Sequence, residues 1–290
     1  MRIAYIGLGA MGRPMAANLA ARFDTRVWNR TASVAEQHAR EHGSTAVTDL
    51  TDLADVDVVC SCLPTTVEVE AVARVLAPAL GEGTVWLDHT SGDPQQARDL
   101  AAYLGSEGVD YLDAPVSGGT RGAEAGALTV MVGGDGDALG EVAAVLDVVA
   151  GRVVHVGPSG AGMAVKAVNN ALLAASLWAA AEGFAALEQA GVPTSVALEV
   201  VNASSGRSNA TENLFPERVV TRAFPNTFAL SLLAKDVGLA RATLDAGGVE
   251  APILHLVDRL TADAVEALGG DVDHTELVRM VERAAGVELR

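Results

Sequence analysis

The chain has 290 residues, and its 37 acidic side chains outnumber its 20 lysines and arginines to give a net charge of −17. This length allows two domains with a large buried core. The negative charge argues against non-specific binding to nucleic acid or to an anionic membrane surface, which are negatively charged themselves. A small anionic ligand would therefore need a positive site built locally into the fold.

The chain opens with a short apolar stretch, Arg2 to Ile6, that predicts a strand. The segment Gly7-Leu8-Gly9-Ala10-Met11-Gly12 follows, and then a helical apolar pattern that includes Leu19. This is G-x-G-x-x-G between a strand and a helix, where glycines allow a tight turn and the helix N-terminus faces a pyrophosphate. A tight strand–helix turn without a ligand is the alternative, and the context on both sides favours dinucleotide binding.

The second predicted strand, Thr25 to Asn29, selects the cofactor at its tip, Asn29-Arg30-Thr31. NAD sites place an acidic residue at this tip for the ribose hydroxyls, whereas NADP sites use arginine for the 2′-phosphate. Arg30 can pair with that phosphate and Thr31 can donate a hydrogen bond. We therefore predict NADP as the preferred cofactor, with NAD possible. Thr31 can also cap the following helix, Ala32 to His42, and the two roles are compatible.

Strands and helices alternate to residue 158, as in a doubly wound parallel sheet. Further strands are predicted at Val56 to Cys62, Thr84 to Asp88, Tyr111 to Ala114, Ala127 to Val132 and Arg152 to Val156. Helices are predicted at Thr66 to Leu80, Asp93 to Ser106 and about Asp137 to Ala150. The residues that follow two of these strands, Leu63-Pro64 and Thr90-Ser91, fall where such sheets bind ligands.

The two cysteines, Cys60 and Cys62, lie in an apolar predicted strand and have no Cys or His partners at metal-ligand spacing. Core thiols are therefore favoured over a zinc site, and no metal is expected. Two cysteines give no disulfide framework and fit a reducing compartment. The apolar start of the chain is too short and too interrupted by glycine for a signal peptide, so a cytoplasmic protein is expected.

The segment Ser117-Gly118-Gly119-Thr120 offers consecutive backbone N–H groups and two hydroxyls after a predicted strand. Glycines allow such N–H groups to point inward and bind an anion. A flexible turn without a ligand is an equally weighted alternative.

After Pro158 the strand signals stop and the remaining chain is predicted to be helical. The long apolar run Ala161 to Ala190 contains Lys166, two asparagines, Glu182 and Glu188, which argues against a membrane span. A helix that is apolar on most sides should instead be covered by a second domain or a second subunit. Residues 1–158 and 159–290 are thus the predicted domains, and a homodimer or homotetramer is expected. The other predicted helices are Thr194 to Asn202, Phe228 to Ala246, Pro252 to Leu268 and Thr275 to Ala285, with residues 203–225 irregular.

Only two of the 20 basic residues are lysines, Lys166 and Lys235. On a helix, Lys166 shares one face with Gly162, Asn169 and Asn170. Arginine does not release its proton in a protein, whereas lysine can do so once its pKa is lowered from ~10.4. A lysine in an apolar helix therefore suggests proton transfer, and a snorkelling or salt-bridged lysine is an equally weighted alternative.

Taken together, these segments resemble the β-hydroxyacid dehydrogenase family, which includes 3-hydroxyisobutyrate dehydrogenases and tartronate semialdehyde reductases. The resemblance covers most of the chain because four blocks match in order. The blocks are Gly7 to Gly12, Asp113-Ala114-Pro115-Val116-Ser117-Gly118-Gly119, Gly162 to Asn170 as G-x-x-x-K-x-x-N-N, and Lys235-Asp236.

The resemblance implies an N-terminal Rossmann sheet followed by an all-α C-terminal domain like that of 6-phosphogluconate dehydrogenase, joined by a long interdomain helix. It implies hydride transfer between NADP(H) and a small anionic β-hydroxyacid, with Lys166 as general acid and base. The implied substrate contacts are Ser117, Gly118, Gly119 and Asn170. Besides the glycine segment and the strand tip, the implied cofactor contacts are Leu63, Pro64, Ser91 and Lys235.

Two segments depart from the family pattern. Gly206-Arg207-Ser208 is followed by Asn209 where many relatives carry an aromatic residue, and His89-Thr90-Ser91 replaces a commoner Ser-Ser-Thr type sequence. Both can border the substrate, so the hydroxyacid is left open. Imine reductases share the fold and the strand tip but usually carry Asp or Tyr in place of Lys166, and non-catalytic dinucleotide-binding relatives typically lose the lysine.

Overall fold

The computed structural model describes all 290 residues and divides into two compact units, 1–166 and 167–290. The longest helix, α8 at Ala161–Gln189, begins in the first unit and continues in the second. The boundary expected from the sequence, between residues 158 and 159, lies in the turn just before this helix.

The first unit is built on a nine-stranded sheet in the order β3-β2-β1-β4-β5-β6-β8-β7, with β9 beside β8. Its strands are β1 Arg2–Ile6, β2 Asp24–Trp28, β3 Thr45–Ala46, β4 Val58–Ser61, β5 Val85–Asp88, β6 Asp110–Asp113, β7 Val116–Ser117, β8 Leu128–Gly133 and β9 Ala150–Gly157. Strands β1 to β6 are parallel, and β8 runs antiparallel to β6 and β7. The strand order reverses between β1 and β4, which is the topological switch point of a doubly wound sheet. The predicted Rossmann class is confirmed.

Helices cover both faces of this sheet. They are α1 Gly12–Ala20, α2 Ala32–His42, α3 Thr66–Leu76, α4 Pro94–Ser106, α5 Gly119–Glu124, α6 Gly136–Glu141 and α7 Ala143–Val149, with 3₁₀ turns at Leu50–Leu53 and Ala77–Ala79. Alternate residues of β1 enter different cores: Ile3 and Tyr5 pack on one face, and Ala4 and Ile6 pack on the other. All four are fully buried, which explains why the central strands have continuous apolar sequences.

The second unit is helical throughout. Besides α8 it contains α9 Thr194–Asn202, a π-helix Ala210–Val220, α10 Leu230–Ala246, α11 Pro252–Leu268, a 3₁₀ turn His274–Leu277 and α12 Val278–Ala285. In its core, the Phe184 and Phe215 rings meet edge to face at 5.1 Å, and Trp178 Nε1 donates to Thr261 Oγ1 at 3.2 Å. The all-helical class predicted for this half is confirmed.

Several predicted boundaries were wrong. The π-helix Ala210–Val220 replaces part of the segment that was expected to be irregular, and it contains Pro216. Proline cannot donate the regular backbone hydrogen bond of a helix, so its presence weakens the helical signal of this segment. The predicted helix Asp137 to Ala150 is broken at Val142. The strand β7 and helix α5 include Ser117, Gly119 and Thr120, where a flexible turn was the alternative to an anion-binding segment.

By length and composition alone, α8 could cross a membrane, and 44% of its most apolar 18-residue window is buried. A single helix of this kind is weak evidence for a membrane span, because the buried core helix of a soluble protein has the same properties.

Candidate active site

The carboxyl ends of β1, β4, β5 and β6 lie at one edge of the sheet because these four strands are parallel neighbours. Adjacent strands are about 4.8 Å apart, so four strand ends span roughly 14 Å. Four segments singled out in the sequence follow these strands directly: the glycine turn, Leu63-Pro64, Thr90-Ser91 and Ala114-Pro115. The fold therefore brings the sequence-predicted segments of the first unit to one edge.

The three glycines of the turn have different physical reasons to be glycine. Gly7 has φ +96°, and a Cβ there would lie 2.3 Å from the carbonyl oxygen of Cys62. A Cβ on Gly12 would lie 2.0 Å from the carbonyl oxygen of Gly7, where α1 begins against the strand. Gly9 is exposed, and a Cβ there would meet no atom within 4 Å. Packing therefore requires Gly7 and Gly12, whereas the open space beside Gly9 fits a bound group such as a pyrophosphate.

The other residues of the turn leave its outer side accessible. Leu8 is buried, Ala10 is exposed, and the half-buried Met11 precedes the first residue of α1. The first turn of α1 contains no acidic residue, so the positive end of the helix dipole is not neutralised locally. These features suit an anionic ligand.

Asn29 connects the glycine turn to the tip of β2. Its Oδ1 accepts a hydrogen bond from Leu8 N at 3.1 Å, and its Nδ2 donates to the carbonyl oxygen of Thr31 at 3.2 Å. Arg30 and Thr31 are exposed. Thr31 occupies the N-cap position of α2, but its side chain makes no capping hydrogen bond, so the capping role considered from the sequence is not observed.

An acidic side chain lies near this tip. The pKa of Glu68 is below its ordinary value, chiefly because the Thr65 hydroxyl donates to its carboxylate and with a smaller contribution from the charge of Arg30. Any 2′-phosphate held by Arg30 would therefore share that cation with Glu68.

A buried network holds the ends of β4 and β5 together. The carboxylate of Asp88 accepts hydrogen bonds from Ser61 Oγ at 2.8 Å, from Tyr111 OH at 3.0 Å and from Thr90 N at 3.1 Å. Burial raises the pKa of Asp88, and these hydrogen bonds oppose the rise. Thr90 Oγ1 in turn accepts from Leu63 N at 3.1 Å. The network thus fixes the two segments that carry the predicted contacts Leu63, Pro64 and Ser91.

His89 is buried beside this network. Its Nδ1 donates to the carbonyl oxygen of Ala114 at 2.9 Å, which leaves Nε2 as the unprotonated nitrogen of the neutral ring. That Nε2 is buried and has no hydrogen-bond partner within the protein. Burial lowers the pKa of His89 to about 4.

The first turn of α8 is attached to the end of β6. The carboxylate of Asp113 accepts hydrogen bonds from Gly160 N at 2.7 Å and from Met163 N at 2.9 Å. A Cβ on Gly162 would lie 2.4 Å from the Met131 carbonyl oxygen and 2.7 Å from that of Asp113. The glycine of G-x-x-x-K is therefore needed for close backbone packing. Lys166, which is half buried, lies in the next turn of the same helix.

The predicted anion-binding segment is not a loop. Ser117 ends β7, and Gly119 and Thr120 begin the six-residue α5. Gly118 and Gly119 both have positive φ, +134° and +63°, so the need for glycine here is conformational. A Cβ on Gly119 would meet nothing within 4 Å, which leaves space beside this backbone.

The second unit contains a polar cluster on α8 and α10. Asn170 Nδ2 donates to Asp236 Oδ2 at 2.6 Å, and its Oδ1 accepts from Asn169 Nδ2 at 3.1 Å. Lys235 Nζ lies 3.4 Å from Asp236 Oδ1. Asp236 is almost fully buried. Its carboxylate orients the amide of Asn170 and pairs with the positive charge of Lys235.

Sequence reasoning gave no role to Asp88, Asp113 or Asp236. Asp113 and Asp236 lie inside matched sequence blocks, which was the available signal. Their functions depend on contacts between distant parts of the chain. No group of three or more His, Cys, Asp or Glu side chains is arranged to hold a metal ion.

Comparison with known proteins decides the family. Residues 2–157 match the NAD binding domain of 6-phosphogluconate dehydrogenase, and residues 160–281 match the family described as NAD-binding of NADP-dependent 3-hydroxyisobutyrate dehydrogenase. The chain belongs to the β-hydroxyacid dehydrogenase family. The resemblance seen in the sequence is thereby confirmed, together with a nicotinamide dinucleotide as the cofactor class.

Individual members of this family are similar along most of the chain. The 2-(hydroxymethyl)glutarate dehydrogenase of Eubacterium barkeri is 35% identical over 100% of this chain and 97% of its own length. The NAD-dependent L-serine dehydrogenase of Pseudomonas aeruginosa is 36% identical over 87% of this chain and 88% of its own. The structure of Mycobacterium tuberculosis 3-hydroxyisobutyrate dehydrogenase with L-serine has a TM-score of 0.90 at 32% identity, over 97% of this chain and 98% of that one.

Imine reductases have the same fold as this chain. The Bacillus cereus imine reductase has a TM-score of 0.65 at 18% identity, over 97% of this chain and 99% of that one. At this identity the likeness concerns the fold alone.

Proposed function

We propose that the protein transfers a hydride between NADP(H) and a small 3-hydroxyacid, with Lys166 exchanging the proton of the substrate hydroxyl. The observation that carries this proposal is the position of Lys166. It is the only lysine of the first unit, it is half buried, and its helix starts at the edge of the sheet that bears the glycine turn.

The glycine turn and the neighbouring strand ends would hold the dinucleotide. Backbone N–H groups around Gly9 would bind the pyrophosphate, and Leu63-Pro64 and Ser91 would line the route toward the reacting end. Lys235 is proposed to lie near the nicotinamide. A bound nicotinamide would supply or accept the hydride, which no side chain of the protein can do.

The amine of Lys166 would then remove the hydroxyl proton during oxidation and return it during reduction. Ser117, Gly118 and Gly119 are proposed to bind the substrate carboxylate, because two consecutive glycines with positive φ allow backbone N–H groups to converge and the space beside Gly119 is open. Asn170 is proposed to contact the substrate while Asp236 orients its amide. Fixed orientation of this kind supplies a large part of enzymatic rate enhancement.

Replacement of Lys166 tests the proton-transfer role. Lys166→Met removes the amine at similar length, and Lys166→Arg keeps a positive charge that cannot release its proton. Both should lower kcat by about 10²–10⁴-fold, the range for loss of a general acid–base group. Dinucleotide binding, followed by fluorescence titration, should be unchanged in both. A Lys166→Met protein that binds the dinucleotide normally and keeps most of its turnover would show that another group moves the proton.

The preference for NADP is proposed from the strand tip. Asn29 occupies the position where NAD sites carry an acidic residue, and its Oδ1 accepts a hydrogen bond from Leu8 of the glycine turn. The exposed Arg30 follows it. A hydrogen bond to a charged group contributes ~1.5–3 kcal/mol, so Arg30→Asp should lower the NADP-to-NAD ratio of kcat/KM by at least about tenfold. Arg22→Asp is the matched control, because this exposed arginine precedes β2 at the opposite edge of the sheet. Equal ratios in the two variants would contradict this assignment.

The substrate is tested with a panel followed by dinucleotide absorbance. It contains 3-hydroxyisobutyrate, L-serine and 2-(hydroxymethyl)glutarate, which the names of the relatives suggest, together with a cyclic imine. We expect oxidation of at least one hydroxyacid and no reduction of the imine. Imine reduction that survives Lys166→Met would instead favour an imine reductase, and no turnover with dinucleotide binding would favour a non-catalytic relative.

A further inference from the structure

The carboxylate of Asp113 links the end of β6 to the first turn of α8, the helix that carries Lys166. Asp113 is fully buried at the end of β6. Each oxygen of its carboxylate has one backbone partner, Gly160 N for Oδ1 and Met163 N for Oδ2. The two N–H groups lie at the start of α8, where regular helical hydrogen bonds are lacking. The carboxylate therefore acts as a helix cap supplied from a strand.

The backbone lies close to this carboxylate on two sides. A Cβ on Gly133 would lie 2.5 Å from Asp113 Oδ1, and a Cβ on Gly162 would lie 2.9 Å from Oδ2. Two glycines thus form a slot for the two carboxylate oxygens. Two directed hydrogen bonds to a carboxylate in this slot define where α8 begins along its axis and how it is rotated about that axis.

Lys166 lies three residues after Met163, about one turn along α8. A side chain that ends about 6 Å from the helix axis moves by about 1 Å when the helix rotates by roughly 10°. A displacement of this size costs about 10²-fold in rate when it misplaces a reacting group. A small rotation of α8 at Asp113 would therefore displace the amine of Lys166 enough to lower the rate.

We propose that Asp113 is the positioning residue for Lys166, acting through the first turn of α8 and without contact to the substrate. This inference rests on the proposed role of Lys166. It adds that the ionised carboxylate, with both oxygens accepting, is the form that holds the lysine in its working position.

The charges around Asp113 make this form sensitive to pH. Burial raises the pKa of Asp113 to about 6, the two backbone hydrogen bonds oppose the rise, and the nearby carboxylate of Asp88 adds to it. Tyr111 of β6 also faces the group, and Lys166 is the charged residue of the next helical turn. Protonation would turn one acceptor into a donor that faces an N–H group. The rate should therefore fall as the pH drops through 6.

The test is Asp113→Asn, assayed in the direction of reduction, where low pH favours the protonated amine and cannot itself cause an acidic loss. The amide can accept only one of the two hydrogen bonds. We expect kcat to fall by about 10²-fold, the dissociation constant of the dinucleotide to stay unchanged, and the loss of activity near pH 6 to disappear. His89 titrates too low to produce that loss, since its pKa is about 4.

Asp93→Asn is the matched control. Asp93 also caps a helix, but a single oxygen, Oδ1, accepts from both Gln95 N at 2.7 Å and Gln96 N at 3.1 Å, so an amide can keep both hydrogen bonds. Asp93 carries no proposed catalytic role. Because Asn and Asp are similar N-cap residues, Asp93→Asn should leave thermal stability, kcat and the acidic loss close to those of the wild type. If the Asp113→Asn protein does not fold, the wild-type profile still decides, because kcat must fall near pH 6 while dinucleotide affinity does not.

A folded Asp113→Asn protein that keeps wild-type kcat and the same acidic loss would overturn the positioning role. That result is distinct from failure of the proposed function, which would appear as normal turnover in Lys166→Met.

Discussion

Replacement of His89 by asparagine should change how the stability of the first unit depends on pH. The ring is buried, its Nδ1 donates to the Ala114 carbonyl oxygen, and its Nε2 has no partner. An asparagine Nδ2 can reproduce the donor to Ala114 but has no group that titrates. The variant therefore isolates the effect of protonating a buried imidazole.

The magnitude follows from the difference between the folded and unfolded states. The pKa of His89 is lowered from 6.5 to about 4, so its stabilising contribution is complete above pH 6.5 and is lost as the pH falls through 4. Between pH 8 and pH 5 this amounts to a loss of ~2 kcal/mol in the free energy of unfolding. Asp113 acts in the opposite sense, because its pKa is raised from 3.8 to about 6. Protonation of Asp113 in the folded state returns ~1.4 kcal/mol over the same range.

Wild-type stability should therefore change little between pH 8 and pH 5 on account of this pair, whereas His89→Asn should gain ~1.4 kcal/mol on acidification. Urea unfolding followed by tryptophan fluorescence measures the difference. In a Trp178→Phe background, both remaining tryptophans, Trp28 and Trp86, report on the first unit. Parallel pH dependences in the two proteins would refute the reasoning, because they would mean that His89 titrates alike in the folded and unfolded chain.

Two further outcomes are expected. Gly9→Ala should leave the melting temperature unchanged and weaken dinucleotide binding, because its Cβ enters open space. Gly12→Ala should lower the melting temperature, because its Cβ would lie 2.0 Å from a carbonyl oxygen. Thermal melts and dinucleotide titrations compare the two variants, and equal melting temperatures would contradict this account. Ile253 is 71% exposed on α11, so if the expected homo-oligomer associates through this helix, Ile253→Asp should reduce the mass measured by light scattering. Glu250→Gln is a neighbouring control, and an unchanged mass of the Ile253→Asp protein would contradict association through α11.

The sequence predicts best where function depends on a short stretch of chain. Gly7, Gly9 and Gly12 act within one strand–turn–helix unit, so their spacing alone indicated a dinucleotide turn. The separate reasons for each glycine could not be predicted, because the carbonyl that excludes a Cβ at Gly7 belongs to Cys62. Periodicity likewise predicted the long helix α8 to within one residue at its C-terminus.

Contacts between distant residues set the limit of such reasoning. Asp113 meets Gly160 and Met163, which are 47 and 50 positions away, and no local pattern distinguishes a carboxylate that caps a remote helix from one that faces solvent. Asp236 reaches Asn170 across 66 positions. His89 could be recognised as unusual from the sequence, but its burial and its unpaired nitrogen required the packed sheet.

Because α8 starts in one compact unit and ends in the other, the chain cannot be dissected at the turn that precedes it without damage. A fragment that stops at residue 158 would retain Asp113 but lose both of its N–H donors. A carboxylate left inside an apolar interior without partners is costly, and such a fragment should take up a proton or unfold near neutral pH. A fragment meant to represent the first unit alone should accordingly extend through the first two turns of α8.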